Sequence, residues 1–461
     1  MPTLSRSTFL DGRALTIVVV LGGLLTLQSS DSLSPIKVAY LLLAGASLVA
    51  AAVGVRWWLS GERASVSTLW LASAAAFFVL VVASAAVSRA HGTTPSNWLR
   101  DASAYALFGA APVLGLALAR SASRRWITAM IVLCGALAAM SFAVEWFGRR
   151  ALIHLPIDRI ALPSAGLAGA LVALATALAL CGVPRRWWWA ALAGGILGLF
   201  FVTGTRATLL LLVVPFGLGL LAARPWRRGA SIVLAEVAVA AVVFGIGALG
   251  LAWANGQPLL DLGHVLGDQS TSPQATPAPH GDLGVRVSDV GTLISNPGSD
   301  RSFQERLTQT KLAWDTFLTS PLVGVGPGYG FEWTDTSDLK HDEFTMDTPL
   351  IYLAKFGLVG LIPLMVFVVA SLRLAFALWR TRQSNRSEFL AIAGFGLVLG
   401  VLGILVSPME DKGVAFGAIL LVGLGCRALS QGAQTPKGVL PGTTGGALEP
   451  SEVLQGGTPA Q

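Results

Sequence analysis

The chain has 461 residues, 54% of them hydrophobic and only 12% charged, about half the charged share of a soluble domain. A water-soluble protein of this make-up would expose large apolar patches and aggregate, so a bilayer is its natural solvent. The formal charge of +7 and the pI near 9.7 do not signal nucleic acid, because the basic residues fall in short clusters between apolar runs rather than in a stripe with interleaved aromatics.

A spanning helix needs about 20 mostly apolar residues, and on that criterion the chain offers about twelve. In order they are 13–29, 37–55, 66–88, 101–119, 126–147, 161–182, 187–203, 206–222, 230–254, 349–371, 388–407 and 412–428. The first follows Arg6 and Arg13 but leads into polar Gln28 and Asp31 rather than a small-residue cleavage site. It therefore reads as a retained helix, not a leader. Only a tight turn around Thr203 separates 187–203 from 206–222. Cys134, Cys181 and Cys426 each lie inside an apolar run, with neither a disulfide framework nor metal-ligand spacing. The fold class expected is an all-α polytopic membrane protein with one large extracytoplasmic loop. Residues 1–254 supply helices 1–9, 255–348 the loop and 349–430 helices 10–12, and 431–461 form a disordered tail rich in Gly, Pro and Thr.

The distribution of arginine and lysine sets the orientation. With the N-terminus inside, 18 of the 32 Lys and Arg fall on the cytoplasmic side, including Arg124–Arg125, Arg185–Arg186 and Arg227–Arg228. Both termini are then cytoplasmic. All five histidines, His91, His154, His264, His280 and His341, fall outside.

Residues 255–345 carry twelve acids against five bases, a net charge of −7. The stretch 268–300 is rich in Ser, Thr, Pro, Gly and Asp and reads as irregular. A helix over 302–320 follows. Ser302 and Glu305 have capping-box spacing, while Phe303, Leu307, Thr310, Trp314 and Phe317 recur at helical intervals until Pro321. Such a helix either lies on the membrane surface or packs on a core of the loop's own.

Few residues carry chemistry. Arg206 ends Thr203-Gly204-Thr205-Arg206 at an external turn, where its planar fork suits a phosphate; the alternative is an arginine that snorkels and merely ends a helix. Arg306 borders the apolar stripe of the 302–320 helix, and Gly324, Gly326, Gly328 and Gly330 alternate just beyond it. These glycines lack the strand-turn-helix context of a nucleotide loop. His341-Asp342-Glu343 and then Asp347 lead into the next apolar run, and histidine is the usual general base. The turn Glu410-Asp411-Lys412 is also external and either joins the site or simply ends a helix. The charges within helices, chiefly Glu145, Glu236 and Lys355, lie away from the bilayer centre by count from the expected ends. Their scarcity argues against ion-coupled transport but not against a lipid flippase.

The order Thr-Gly-Thr-Arg, long loop, Arg306, then Ser-Pro-Leu-Val-Gly-Val-Gly-Pro-Gly and Gly357-Leu-Val-Gly-Leu361 resembles the O-antigen ligase and O-antigen polymerase superfamily over roughly residues 195–370. The resemblance implies a metal-independent inverting glycosyltransferase of the multi-helix, GT-C-like membrane class, without a cofactor. Its donor would be a glycan on undecaprenyl pyrophosphate, and its acceptor a lipid, protein or glycan hydroxyl at the outer face of the bacterial plasma membrane, as in lipopolysaccharide assembly. Arg206 and Arg306 match the family arginines expected to hold the pyrophosphate, and His341 is the best match for the histidine expected to assist the acceptor. The family often has His-Asn directly before the helix, a place occupied here by Met346-Asp347, so Asp347 is the other candidate for that polar role. Membrane lipids are the remaining expected partners. A non-enzymatic flippase or an envelope scaffold are the readings from other functional classes.

Overall fold

A backbone in hydrocarbon has no water to satisfy its N–H and C=O groups, so the apolar runs close their hydrogen bonds within helices. The computed structural model describes residues 65–121, 123–146, 165–203, 211–222, 226–254, 301–334, 340–381, 386–405, 407–410 and 412–434. The expected spans 13–29 and 37–55 and the irregular 268–300 lie outside them. Among the described residues seven helices precede the loop: α1 (Ser65–Ala90), α2 (Pro95–Ser121), α3 (Arg124–Trp146), α4 (Ala165–Leu180), α5 (Arg186–Thr203), α6 (Val213–Leu221) and α7 (Trp226–Ala254). The loop supplies α8 (Arg301–Thr319), β1 (Phe331–Thr334) and β2 (Lys340–Glu343), and α9 (Ile351–Phe356) follows it. Then come α10 (Leu361–Arg380), α11 (Arg386–Leu405) and α12 (Lys412–Gln434).

Among the described residues five helical stretches are long and apolar enough to cross a membrane: Thr68–Ala90, Pro95–Ala119, Trp226–Gly247, Leu358–Arg380 and Arg386–Gly403. The protein is a multi-pass membrane protein. Burial separates inner from outer helices. The apolar window of α2 is 83% buried, whereas those of α1, α7 and α10 are 28% buried and present Phe78, Leu234, Ile246, Ile362 and Leu372 outward. The helix at the centre is α4, buried from Gly166 to Ala179 and packed on α5, α11 and α12. It is apolar all round, as a fully enclosed helix must be. Edge-on aromatic contacts tie α1, α2 and α10: Phe77 to Phe108 at 5.5 Å and Trp70 to Phe367 at 5.6 Å.

The structure revises several expectations. The helix predicted over 349–371 is broken at Gly357, whose φ of 58° and ψ of −162° suit a residue without Cβ. Beyond the break, the N–H groups of Leu358 and Val359 donate to Pro321 O at 2.9 Å and Leu322 O at 3.0 Å, and the continuous helix α10 runs on to Arg380. The chain is also not all-α, because the loop contains two strands. β1 and β2 pair antiparallel, Phe331 opposite Glu343 and Trp333 opposite His341, because alternation buries Phe331 and Trp333 while Glu332 and Thr334 face out. At the C-terminal end α12 continues through Gln434, so the first residues assigned to a disordered tail are helical; Pro436 then bars continuation. Finally, α7 starts at Trp226, which puts Glu236 about midway along the apolar window Trp226–Gly247 rather than near a helix end. It is fully buried and accepts a hydrogen bond from Thr176 Oγ1 at 3.0 Å.

Helix α8 packs on a core of the loop's own, the second of its two readings. One face packs on α9 in a small core of Ala313, Val325, Phe331, Trp333, Met346 and Ile351. The other leaves Leu307, Trp314 and Leu318 exposed. The apolar face is thus rotated from the predicted stripe: Phe317 is buried, Leu307 and Trp314 are not. Arg301 already belongs to the helix, which therefore starts one residue before the predicted 302.

Candidate active site

Three chain segments meet at one end of the bundle: the α1–α2 turn, the glycine-rich segment after α8, and α9. Pro321 ends α8 by removing a donor and fixing φ, and the chain then runs alongside α9. Val325 N–H donates to Ala354 O at 2.9 Å and Gly326 N–H to Lys355 O at 2.9 Å. On its other side this segment touches the α1–α2 turn, where Ser88 Oγ donates to Pro327 O at 2.9 Å. At Gly326 φ is 85°, and a Cβ would meet Ser88 N at 2.7 Å. Only glycine fits there. The alternating glycines are therefore explained by close backbone packing and not by a nucleotide.

Under this segment lies a buried ion cluster. Lys355 Nζ is 2.7 Å from Asp101 Oδ2 and 2.5 Å from Glu410 Oε1. Tyr105 donates its hydroxyl to the same Glu410 oxygen at 2.8 Å. Asp101 Oδ2 also accepts the N–H of Gly328 at 2.6 Å. The side chains are 0%, 3% and 8% exposed for Lys355, Asp101 and Glu410. Burial pushes the Glu410 carboxyl up to about 7; Lys355 pulls it down, and Asp101 pushes it up again. Sequence reasoning noted Lys355 as an isolated helix charge and Glu410 as a turn charge, and missed Asp101 and Tyr105. The available signal was that two acids and one base near helix ends fall on one side of the expected topology.

The loop brings two of the expected site residues close together. Arg306 lies on the half-buried part of α8, and its Nε is enclosed with no hydrogen-bond partner among the described residues. One turn further along α8, Gln309 Oε1 accepts the N–H of Asp347 at 2.7 Å, and Thr310 Oγ1 donates to Thr348 Oγ1 at 3.1 Å. Asp347 itself is exposed. His341 lies on β2 opposite Trp333, on the hairpin between the glycine segment and Asp347. The guanidinium of Arg100 lies 5.8 Å over the Phe344 ring, tying the end of this hairpin back to α2. Arg206 lies outside the described residues. Glu410 joins Lys355 and Asp101, not the loop carboxylates. No group of three or more metal-type ligands occurs among the described residues.

Comparison with known families agrees with the motif order over part of the chain. Residues 191–365 match the O-antigen ligase family model. This O-antigen ligase region begins in α5, takes in the whole loop and ends in α10. It therefore contains Arg206, Arg306, His341, Asp347 and Lys355, while Asp101 and Glu410 lie outside it. The family is one of membrane glycosyltransferase-like ligases. No curated protein matches the chain.

Proposed function

We propose that this chain is an inverting glycosyltransferase that moves a glycan from undecaprenyl pyrophosphate to an acceptor hydroxyl at the outer face of a bacterial plasma membrane. The observation that carries the reading is the junction of α8 with the residues before α9. It bonds the Asp347 N–H to Gln309, three residues along α8 from Arg306, whose Nε is enclosed and has no hydrogen-bond partner among the described residues. A buried guanidinium nitrogen without a partner is uncommon in a native fold and suits a site that an anion completes.

In this reaction the acceptor oxygen attacks the anomeric carbon, and the bond from that carbon to the pyrophosphate oxygen breaks on the opposite side. The electron pair leaves with the pyrophosphate. Arg206 and Arg306 hold the charge that grows there, stabilising the transition state more than the bound donor. The hydroxyl proton passes to His341 or Asp347. The arginines supply the positive charge, so the proposed reaction uses neither metal nor cofactor. Because the loop is acidic overall, donor binding rests on these placed cations and not on a general basic field. The wider architecture in this reading is GT-C-like, with about twelve spans and both termini cytoplasmic. It is supported by contacts that sort helix ends into two sets: Asp101, Lys355 and Glu410 at one, and Arg386 with Ala222 and Arg427 with Ala119 at the other.

The test is transfer in vitro from undecaprenyl-pyrophosphate glycan, with chelator and without nucleotide sugar. Wild type is compared with Arg206→Ala, Arg306→Ala, His341→Ala and Asp347→Ala. Transfer that either arginine variant abolishes supports the reading. A lipid or protein acceptor makes the enzyme a ligase, and a second lipid-linked repeat makes it a polymerase. Folded protein that transfers to no acceptor but moves the lipid-linked glycan across vesicles refutes it in favour of a flippase.

A further inference from the structure

We infer that Asp101, held by Lys355, which it shares with Glu410, is a positioning residue that pins the loop carrying the reaction to the membrane bundle. This rests on the proposed transfer only for its effect on rate; the pinning itself stands on geometry. Asp101 accepts from two donors that belong to the loop and its exit. One is Gly328 N–H at 2.6 Å, and the other is Lys355 Nζ at 2.9 Å to Oδ1 and 2.7 Å to Oδ2. Lys355 in turn takes the Gly326 N–H on its own carbonyl. A single carboxylate on α2 thereby fixes both stretches between which the β-hairpin and Asp347 are slung, and the first of them fixes the end of α8.

The cluster is poorly placed for any other role. Lys355 is fully buried and shared between two carboxylates, so it is not free to meet a phosphate. Stability alone does not explain it well either, because a buried ion cluster adds little over apolar residues of the same volume. What charge supplies here is direction. A carboxylate accepts a backbone N–H more strongly than a neutral group does, and Gly328 has no side chain with which to hold the loop by packing.

Two substitutions of similar size separate these roles. Asp101→Asn and Asp101→Leu both leave Lys355 balanced by Glu410, but only asparagine keeps an oxygen for Gly328. Amide exchange of peptides covering 324–330 is followed in detergent or nanodiscs, with α4 as the internal standard, beside kcat and donor KM. Expected for Asp101→Leu are exchange at 324–330 faster by about tenfold and a kcat lower by up to about a hundredfold, with donor KM changed little. Asparagine recovers most of both losses. Wild-type exchange and kcat in the leucine variant overturn the inference, as does an asparagine variant no better than leucine. Should the leucine variant not fold, Asp101→Leu with Lys355→Met and Glu410→Leu removes every charge of the cluster and makes the same comparison. If wild type transfers nothing, the exchange arm still decides the pinning, and the failure belongs to the proposed reaction.

Discussion

Gly326→Ala tests the packing of the glycine segment most sharply. An alanine at φ of 85° sits in a region costing L-residues about 1–2 kcal/mol. The new Cβ would stand 2.7 Å from Ser88 N and 2.8 Å from Ser88 Cα, atoms of a helix that cannot swing aside. Relief requires the segment to lift, which breaks the Gly326–Lys355 and Ser88–Pro327 hydrogen bonds at about 0.5–1.5 kcal/mol each. The sum is roughly 2–5 kcal/mol, or local opening about 30- to several-thousand-fold more frequent at 1.4 kcal/mol per decade. Amide exchange of peptides spanning 321–330 reads this directly, with α4 unchanged. Gly245→Ala is the matched control, since a Cβ there meets nothing within 4 Å and alanine is the better helix former. Exchange at 321–330 as slow in Gly326→Ala as in wild type would refute the close-packed segment described above.

Three further outcomes follow from the same geometry. Lys355→Met strands two buried carboxylates and lowers stability by about 3–5 kcal/mol, seen as a fall in Tm in detergent. The Glu410 carboxyl, raised from 4.5 to about 7, keeps its proton in the folded protein after the unfolded chain has lost it. Its contribution is therefore fullest below pH 4.5 and is lost as pH rises to about 7; Glu410→Gln removes this slope, so the Tm of the variant minus that of wild type should grow between pH 5 and pH 8. Gln309→Leu deletes the acceptor of Asp347 N–H, a local loss of about 1 kcal/mol; we expect lower kcat with little change in Tm, measured by transfer assay and thermal unfolding side by side.

The membrane character and most helix positions were legible because hydropathy is a long-range average over about 20 residues. The same averaging hid the break at Gly357, where flanking residues are apolar and only a backbone angle differs. The hairpin escaped notice because each strand has only four residues, too few for alternation to stand out among acids and threonines. The α8 stripe was misoriented because its buried face is chosen by α9, a partner that helical periodicity cannot see. Arg306 and Asp347 were readable one by one from the motif order. Their junction was not, since it depends on Gln309, a residue with no special spacing. Asp101 was least visible of all, for its partners are 254 and 227 positions away along the chain, and one acid at a helix start looks like any other.

The ion cluster also bears on how this protein can be taken apart. Of its three charged members only Lys355 lies within the segment 191–365 that matches the O-antigen ligase family; both acids come from the flanking bundle. A chimaera that grafts this segment onto another bundle carries the lysine without its counter-charges, and a bundle kept without the segment retains two acids facing each other. The segment and its surroundings are thus not interchangeable parts. Grafting this loop onto another bundle is expected to need acids at the places of Asp101 and Glu410.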